Sequence, residues 1–217
     1  MNTAWNKIYK NKIKKYSYYD ILEPHEDMAW LSTFFKENGA KNILDLGCGA
    51  GRNALFLAKE GFSVWGMDNA EEGLLVAKDQ AKKEKVKLTV TLGDIYKSLP
   101  YAENSFDAII SIQVLQHNKR EQIQKTLAEI HRILKPGGFL FITVCGRYSK
   151  GKVRYCLVKT ADKIAENTYV PTIGDETGLI HFIYNKKLLF SDLANFIKIK
   201  FWKDSRDYYC VLAKKRI

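Results

Sequence analysis

The apolar residues change period several times along the chain, and each change marks an element. From Pro24 the pattern is helical. Met28, Leu31, Phe34 and Phe35 share a face, Glu26 and Asp27 sit in a first turn where the helix dipole favours acids, and Gly39 supplies a stop. "NILDLG" then runs with few polar breaks, as a strand covered on both faces does. A helix is predicted over Arg52–Lys59 and a second strand over "FSVWGMD". The helix after it has Asn69 as its expected cap, Glu71 and Glu72 in its first turn and lysines at its end. "KLTVTLGD" and "FDAIISIQ" read as the third and fourth strands. Between Lys119 and Leu134, Ile123, Leu127, Ile130 and Leu134 stripe an amphipathic helix; "KPGG" ends it and "FLFITV" is a fifth strand. Strand and helix in alternation imply right-handed βαβ units on a parallel sheet.

The end of the chain breaks this rhythm. "FIKIKFW" and "YYCVLAK" both alternate like strands, and only "KDSRD" lies between them. A parallel crossover needs about a dozen residues or more, so these two must form an antiparallel hairpin. The expectation is an α/β fold with a mixed sheet and helices on both faces. It is a single domain over 1–217, in which 1–40 forms an N-terminal helical extension.

Composition narrows the setting. Apolar runs such as that near Phe139–Val144 are too short to cross a bilayer, and the basic N-terminal stretch lacks the apolar core of a signal peptide. Cys48, Cys145, Cys156 and Cys210 are scattered without a CxxC pair, which suggests neither a disulfide framework nor a zinc site. The expected home is a reducing cytoplasm. No histidine–carboxylate group has ligand spacing, so no metal is expected. The net charge is +11, and residues 146–217 carry 15 Lys/Arg against 7 Asp/Glu. That excess is either a solvated surface or a site for an anionic partner.

Between the first strand and its helix, Gly47, Gly49 and Gly51 occupy alternate positions. Glycines there let the backbone turn sharply and approach a ligand with no Cβ in the way, and the amides of the helix start add a polar cradle. A dinucleotide fingerprint wants a small residue where Arg52 stands, which argues against a nicotinamide enzyme. Asp68 ends the second strand, where a carboxylate can accept hydrogen bonds from both ribose hydroxyls of an adenosine ligand.

Together, "Asp45-Leu46-Gly47-Cys48-Gly49-Ala50-Gly51" matches the D/E-x-G-x-G-x-G signature of class I S-adenosylmethionine-dependent methyltransferases. "Gly93-Asp94" resembles that family's adenine-binding acid, "Leu134-Lys135-Pro136-Gly137-Gly138" its entry to the fifth strand, and the terminal hairpin its reversed end. From about Lys41 onward the chain resembles the type 11 group, related to ubiquinone and menaquinone biosynthesis. "GRNALFLAKEGFSV" is also similar to the tellurite- and thiopurine-type small-molecule enzymes. The resemblance implies a Rossmann-like seven-stranded sheet of order 3-2-1-4-5-7-6 with one antiparallel strand. It implies S-adenosyl-L-methionine as cofactor and S-adenosyl-L-homocysteine as product. It assigns Asp45, Gly47, Cys48 and Gly49 to the methionine end, and Arg52, Asp68, Asn69, Asp94, Ile95, Ser111, Gln113 and Tyr18 to further cofactor contacts.

Methyl transfer from a sulfonium is an in-line displacement, for which proximity and orientation supply roughly 7–11 kcal/mol. A general base is needed only when the nucleophile must lose a proton. His117, just after the fourth strand, is the first candidate for that base; His181 in "GLIHFIY" and His25 in "EPHED" follow. The stretch from Ser111 to His117 lacks the [D/N]-P-P-[F/Y] motif that exocyclic-amine base methyltransferases carry there. Cys145 lacks the Pro-Cys partner of RNA cytosine-carbon enzymes and is expected to be structural. Trp5 and Tyr9 share a helix face ahead of Tyr18, as a lid over the cofactor would require. The expected acceptor is a small molecule methylated on O, N, S or a chalcogen. An acidic one would suit the segment Arg147–Lys159. The alternatives are RNA, bound through that same segment with Tyr148 and Tyr155 interleaved, and a cofactor-binding scaffold without catalysis.

Overall fold

A computed structural model describes residues 4–15 and 22–216. Helices α1 (Ala4–Lys15) and α2 (Met28–Glu37) precede an alternating series: β1 (Asn42–Leu46), α3 (Arg52–Lys59), β2 (Ser63–Asp68), α4 (Glu71–Lys83) and β3 (Leu88–Leu92). It continues through β4 (Phe106–Ile112), α5 (Arg120–Ile133) and β5 (Leu134–Cys145). An insertion follows: the hairpin β6 (Tyr148–Ser149) and β7 (Lys152–Val153), a π-helical turn at Tyr155–Lys159, and a small antiparallel sheet. That sheet comprises β8 (Asp162–Ala165), β9 (Thr168–Val170) and β10 (His181–Phe182). Then come α6 (Lys186–Asp192), β11 (Phe196–Lys203) and β12 (Tyr208–Lys215).

The main sheet runs β3-β2-β1-β4-β5-β12-β11, and β12 alone is antiparallel to its neighbours. This is the mixed α/β sheet expected, with β12 and β11 standing as seventh and sixth strands. The five short strands of the insertion are the difference, and runs of two to four residues are too short to show a period. Helix α4 also starts differently. Its cap position is Ala70, not Asn69, and the Ala70 amide donates to the Asp68 carboxylate at 2.8 Å. The acid at the end of β2 thus does the work expected of an asparagine cap.

The near-continuous apolar strands are explained by burial on both faces. Ile43, Ala108, Ile110 and Phe141 pack toward Met28, Leu31, Phe35, Ala54 and Leu57 of α2 and α3. Their strand neighbours Leu44, Leu46, Ile109 and Leu140 face the opposite layer, against Ile123, Leu127 and Ile130 of α5. Each such side chain contributes about 1.5–3 kcal/mol when fully buried. No helix of the described residues is long and apolar enough to cross a membrane.

One buried acid ties the last helix into this frame. The Asp192 side chain is fully buried, and Oδ1 accepts from Arg120 Nη2 at 2.7 Å and Gln124 Nε2 at 2.8 Å, while Oδ2 accepts the Tyr184 hydroxyl at 3.1 Å. Asp192→Ala strands both the guanidinium and the buried phenol. We expect urea unfolding to show a loss of about 3 kcal/mol, at the low end for a broken buried pair because Arg120 keeps some contact with water. A loss under about 1 kcal/mol would contradict this role.

Candidate functional site

The carboxyl ends of β1, β2, β4 and β5 open onto one edge, the place where ligands of open α/β sheets bind. A cavity of about 260 Å³ lies there. The turn after β1 supplies Gly47, Cys48 and Arg52, β2 ends on Asp68 and Asn69, and the loop after β3 adds Ile95 and Tyr96. Gln113, Val114, Gln116 and His117 follow β4. Leu157, Glu176 and His181 come from the insertion, Arg206 and Tyr208 from the tip between β11 and β12, and Trp5 and Tyr9 from α1.

The glycine turn is held by sterics and by one acid. Gly47 has φ +83°, and a Cβ there would meet Val114 Cγ2 at 2.4 Å. At Gly49, φ +54°, a Cβ would fall 1.8 Å from the Tyr9 hydroxyl. Asp68 Oδ2 accepts the Gly49 amide at 2.8 Å, so one carboxylate pins the turn to the end of β2 and starts α4. Burial raises the Asp68 pKa against the lowering effect of its amide donors.

Asp45 is nearly inaccessible, 1% exposed, and its Oδ2 has no hydrogen-bond partner among the described residues. Burial lifts its pKa to about 7, Arg52 works against that, and Asp68 adds to it. Burial in turn lowers the Arg52 pKa. The site therefore holds an unsatisfied acid behind a glycine turn, an arrangement that suits an incoming cation. Tyr9 covers the turn, with its hydroxyl pKa raised by burial and by Asp68. Asn6 Oδ1 accepts the Glu72 amide at 3.0 Å and Lys10 pairs with Glu72 at 3.0 Å, which docks α1 on the first turn of α4.

The other half of the cavity is built by long-range closures. The Phe182 amide donates to the Gln116 carbonyl at 2.7 Å and so draws β10 onto the end of β4. This sets the His117 and His181 rings edge to face at 4.5 Å, with Trp5 edge-on to His117 at 4.7 Å. His117 Nε2 lies 3.1 Å from the Gln113 carbonyl and 3.3 Å from the Gln116 amide nitrogen. Burial pushes the His181 pKa down to about 4, so its imidazole is neutral at ordinary pH.

The tip bearing Arg206 and Tyr208 is shaped by Asp204. Its Oδ1 accepts the amides of Arg206 (2.9 Å) and Tyr208 (2.8 Å), and its Oδ2 meets His25 Nε2 at 3.2 Å. Burial pushes the Asp204 pKa up, but the His25 contact and the amides hold it below the usual carboxylate range. The His25 amide donates to Asn53 Oδ1 at 2.9 Å, and the Ser205 amide donates to Glu26 at 2.8 Å. His25, considered above as a base, thus lies in a clamp outside the cavity wall.

The remaining sequence-predicted residues divide. Gly47, Cys48, Arg52, Asp68, Asn69, Ile95, Gln113, His117 and His181 line the cavity. Asp45 and Gly49 lie behind that surface. Asp94 is turned toward the Tyr96 amide at 3.0 Å and is off the wall, as is Ser111, whose hydroxyl donates to the Leu46 carbonyl at 2.9 Å. Tyr18 lies outside the described residues. Cys145 is buried with its thiol pKa pushed up to about 12, in keeping with a structural role.

In the basic segment, Arg147 donates to the Tyr169 hydroxyl at 3.1 Å. Arg154 donates to the carbonyls of Gly146 (2.9 Å) and Arg206 (3.0 Å) and lies over the Tyr208 ring at 4.4 Å. Leu157 is that segment's residue on the cavity wall, while Lys150, Lys152 and Lys159 are exposed. Gln116, Glu176, Arg206 and Tyr208 carried no local sequence signal, because tertiary closures bring them in. Among the described residues His25, Asp27 and Cys210 place ligand-type atoms within 4.8 Å of one another. Hydrogen bonds account for that trio: Asp27 accepts the indoles of Trp30 (2.7 Å) and Trp202 (3.0 Å), and His25 is held by Asp204.

Residues 43–138 match a family model described as "Methyltransferase domain". The tRNA N(3)-methylcytidine methyltransferase Mettl2 of Drosophila melanogaster is 27% identical over 191 residues, covering 79% of this chain and 57% of that protein. A putative methyltransferase of Geobacillus sp. (strain WCH70) is 32% identical over 147 residues, covering 67% of this chain and 51% of that protein. The chain thus spans about half the length of the curated relatives it matches. Among solved structures, the 1,6-didemethyltoxoflavin-N1-methyltransferase of Burkholderia thailandensis, with bound 1,6-didemethyltoxoflavin and S-adenosylhomocysteine, shares the fold. Its TM-score is 0.70 at 17% identity, covering 99% of this chain and 88% of that one.

The Asp204 clamp makes a direct prediction. A hydrogen bond to a charged group contributes about 1.5–3 kcal/mol, and 1.4 kcal/mol is a factor of ten. Asp204→Ala should therefore speed amide exchange at Arg206 and Tyr208 at least about tenfold, leaving β1 and β4 unchanged. Unaltered exchange at the tip would show that the hairpin holds this shape by itself.

Proposed function

We propose that this chain, which belongs to the class I methyltransferases, moves the methyl group of S-adenosylmethionine to a heteroatom of a small molecule. The observation that carries the proposal is the orphaned Asp45 Oδ2 behind a glycine turn pinned by Asp68. An amino-acid ammonium supplies what Asp45 lacks, a cation with N–H donors. The Asp68 carboxylate, which already holds backbone amides including those of Gly49 and Ala70, keeps acceptor capacity for a ribose hydroxyl on the cavity wall. Ile95 and Tyr96 offer an apolar wall at the end of β3 for a base. When bound, the cofactor's sulfonium supplies an electrophilic methyl group open to displacement by a nucleophile.

The chain's own contribution is orientation, exclusion of water and management of one proton. Helix α1 serves as a lid: Trp5 and Tyr9 lie on the cavity wall and Tyr9 covers Gly49, so ligand entry moves α1. His117 and His181, at the far side, are the groups suited to accept a proton from the nucleophile. Free thiols at Cys48, Cys145 and Cys210 support a reducing, cytoplasmic setting.

RNA is the second reading, favoured by the likeness to a tRNA enzyme and by exposed Lys150 and Lys152. The internal bonds of Arg147 and Arg154 leave fewer charges for phosphates, which supports the small acceptor. Incubation with methyl-labelled cofactor and a cell extract should label small molecules. Label confined to RNA would select the second reading.

Calorimetry with S-adenosylhomocysteine tests the cofactor site. An Asp45 pKa of about 7 must fall when an ammonium docks, so binding releases a proton below that pH. Affinity should rise by up to about tenfold per unit as pH rises from 6 toward 7, then flatten by pH 8. Asp45→Asn should cost at least about tenfold and remove the slope. Flat affinity from pH 6 to 8 in the wild type, or tight binding of NADH, would contradict this site.

A further inference from the structure

The methyltransferase reading leaves unexplained why two neutral side chains on the cavity wall hold buried polar atoms with no hydrogen-bond partner. Gln116 is 2% exposed and His181 is 1% exposed, and both line the wall. Gln116 Oε1 and both ring nitrogens of His181 have no hydrogen-bond partner among the described residues. Glu176 Oε2 approaches His181 Nε2 at 3.4 Å, without the geometry of a hydrogen bond. Orphaned buried polar groups are rare, so two of them on one cavity wall need a reason.

They are not loose. The Phe182 amide bonds the Gln116 carbonyl at 2.7 Å, which fixes the insertion against the end of β4, and Gln116 Nε2 contacts His117 Nε2 at 3.3 Å. Two segments 65 residues apart therefore present an amide oxygen and an imidazole at one place.

We propose that Gln116 and His181 form the acceptor subsite, and that it takes a neutral, planar heteroaromatic ring with an N–H donor beside a C=O acceptor, a lactam edge. The inference rests on the methyltransferase reading and names its substrate class. A neutral imidazole offers one donor and one acceptor, and the glutamine oxygen accepts, so an edge carrying both functions satisfies the pair together. A lone hydroxyl or thiol must serve both partners from one atom, whereas a lactam edge carries donor and acceptor on separate atoms.

The walls agree in shape. Trp5, His117 and Tyr208 present rings, and Val114 and Leu157 present apolar surface. The charge also agrees. Among the described residues no lysine is on the cavity wall, and its cations Arg52 and Arg206 are matched in number by Asp68 and Glu176. An acidic acceptor, the expectation from the basic segment, finds no surplus of positive charge here.

The test uses the full chain saturated with S-adenosylhomocysteine and three probes followed by ligand-observed NMR titration: 2-pyridone, N-methyl-2-pyridone and phenol. 2-Pyridone should bind at least about fivefold tighter than the other two, and its binding should shift the His181 ring nitrogens. Gln116→Leu and His181→Phe should each abolish the preference while changing S-adenosylhomocysteine affinity by less than about twofold. That affinity also reports that each variant is folded. Equal binding of the three probes by the wild type overturns the proposal, a result that needs no variant at all. A preference that survives both substitutions overturns it as well. Failure of the wild type to bind S-adenosylhomocysteine would strike the methyltransferase reading first, and the subsite with it.

Discussion

The Asp68 carboxylate is the joint on which the site depends. One oxygen holds the Gly49 amide and the other holds the Ala70 amide, so the turn after β1 and the start of α4 share a single support at the end of β2. Remove it and two buried donors lose their partner at once, each costing more than an ordinary exposed contact. The joint also brings two acids close together in a buried place. Asp68 raises the Asp45 pKa further, beyond what burial already does, and Arg52 only partly offsets the pair. The protein without ligand therefore holds a carboxyl group poised between its two protonation states. That is poor for stability and good for receiving a cation, a trade common at functional sites.

The other half of the cavity depends on different physics. No parallel-sheet rule puts His181, Arg206 or Tyr208 at this edge; hydrogen bonds between distant segments do. The Phe182–Gln116 bond carries the insertion inward, and the Asp204 carboxylate folds the β11–β12 tip over the mouth. Arg154 then joins the two, bonding the carbonyls of Gly146 and Arg206 and lying across Tyr208. The basic residues that look on paper like a binding surface are in part internal struts.

What was legible in the sequence follows from range. The five parallel strands and the reversed hairpin were readable because apolar burial on both faces, and the short "KDSRD" connection, act within a dozen residues. Gly47, Gly49 and Asp68 were readable for the same reason: turn and strand end lie one βα unit apart. The insertion was not, since its strands are held by register with each other and by the Gly146–Tyr184 bridge more than by any period of their own. His25 looked like a candidate base from its acidic neighbours, yet its partner Asp204 stands 179 residues away. Gln116 and Tyr208 gave no warning because nothing local distinguishes a cavity wall from a loop. Asn69 was a sound cap by type, but the carboxylate one residue earlier reached the amide first.

The proposed seat of the cofactor's ammonium group is the orphaned oxygen of Asp45. A crystal structure of the full chain with S-adenosylhomocysteine measures this directly. The amino nitrogen should lie about 2.7–3.2 Å from Asp45 Oδ2, the ribose hydroxyls on Asp68, and the Tyr9 ring away from its place over Gly49. A complex in which Asp45 Oδ2 remains without a partner, or in which the ligand lies away from the glycine turn, would contradict it.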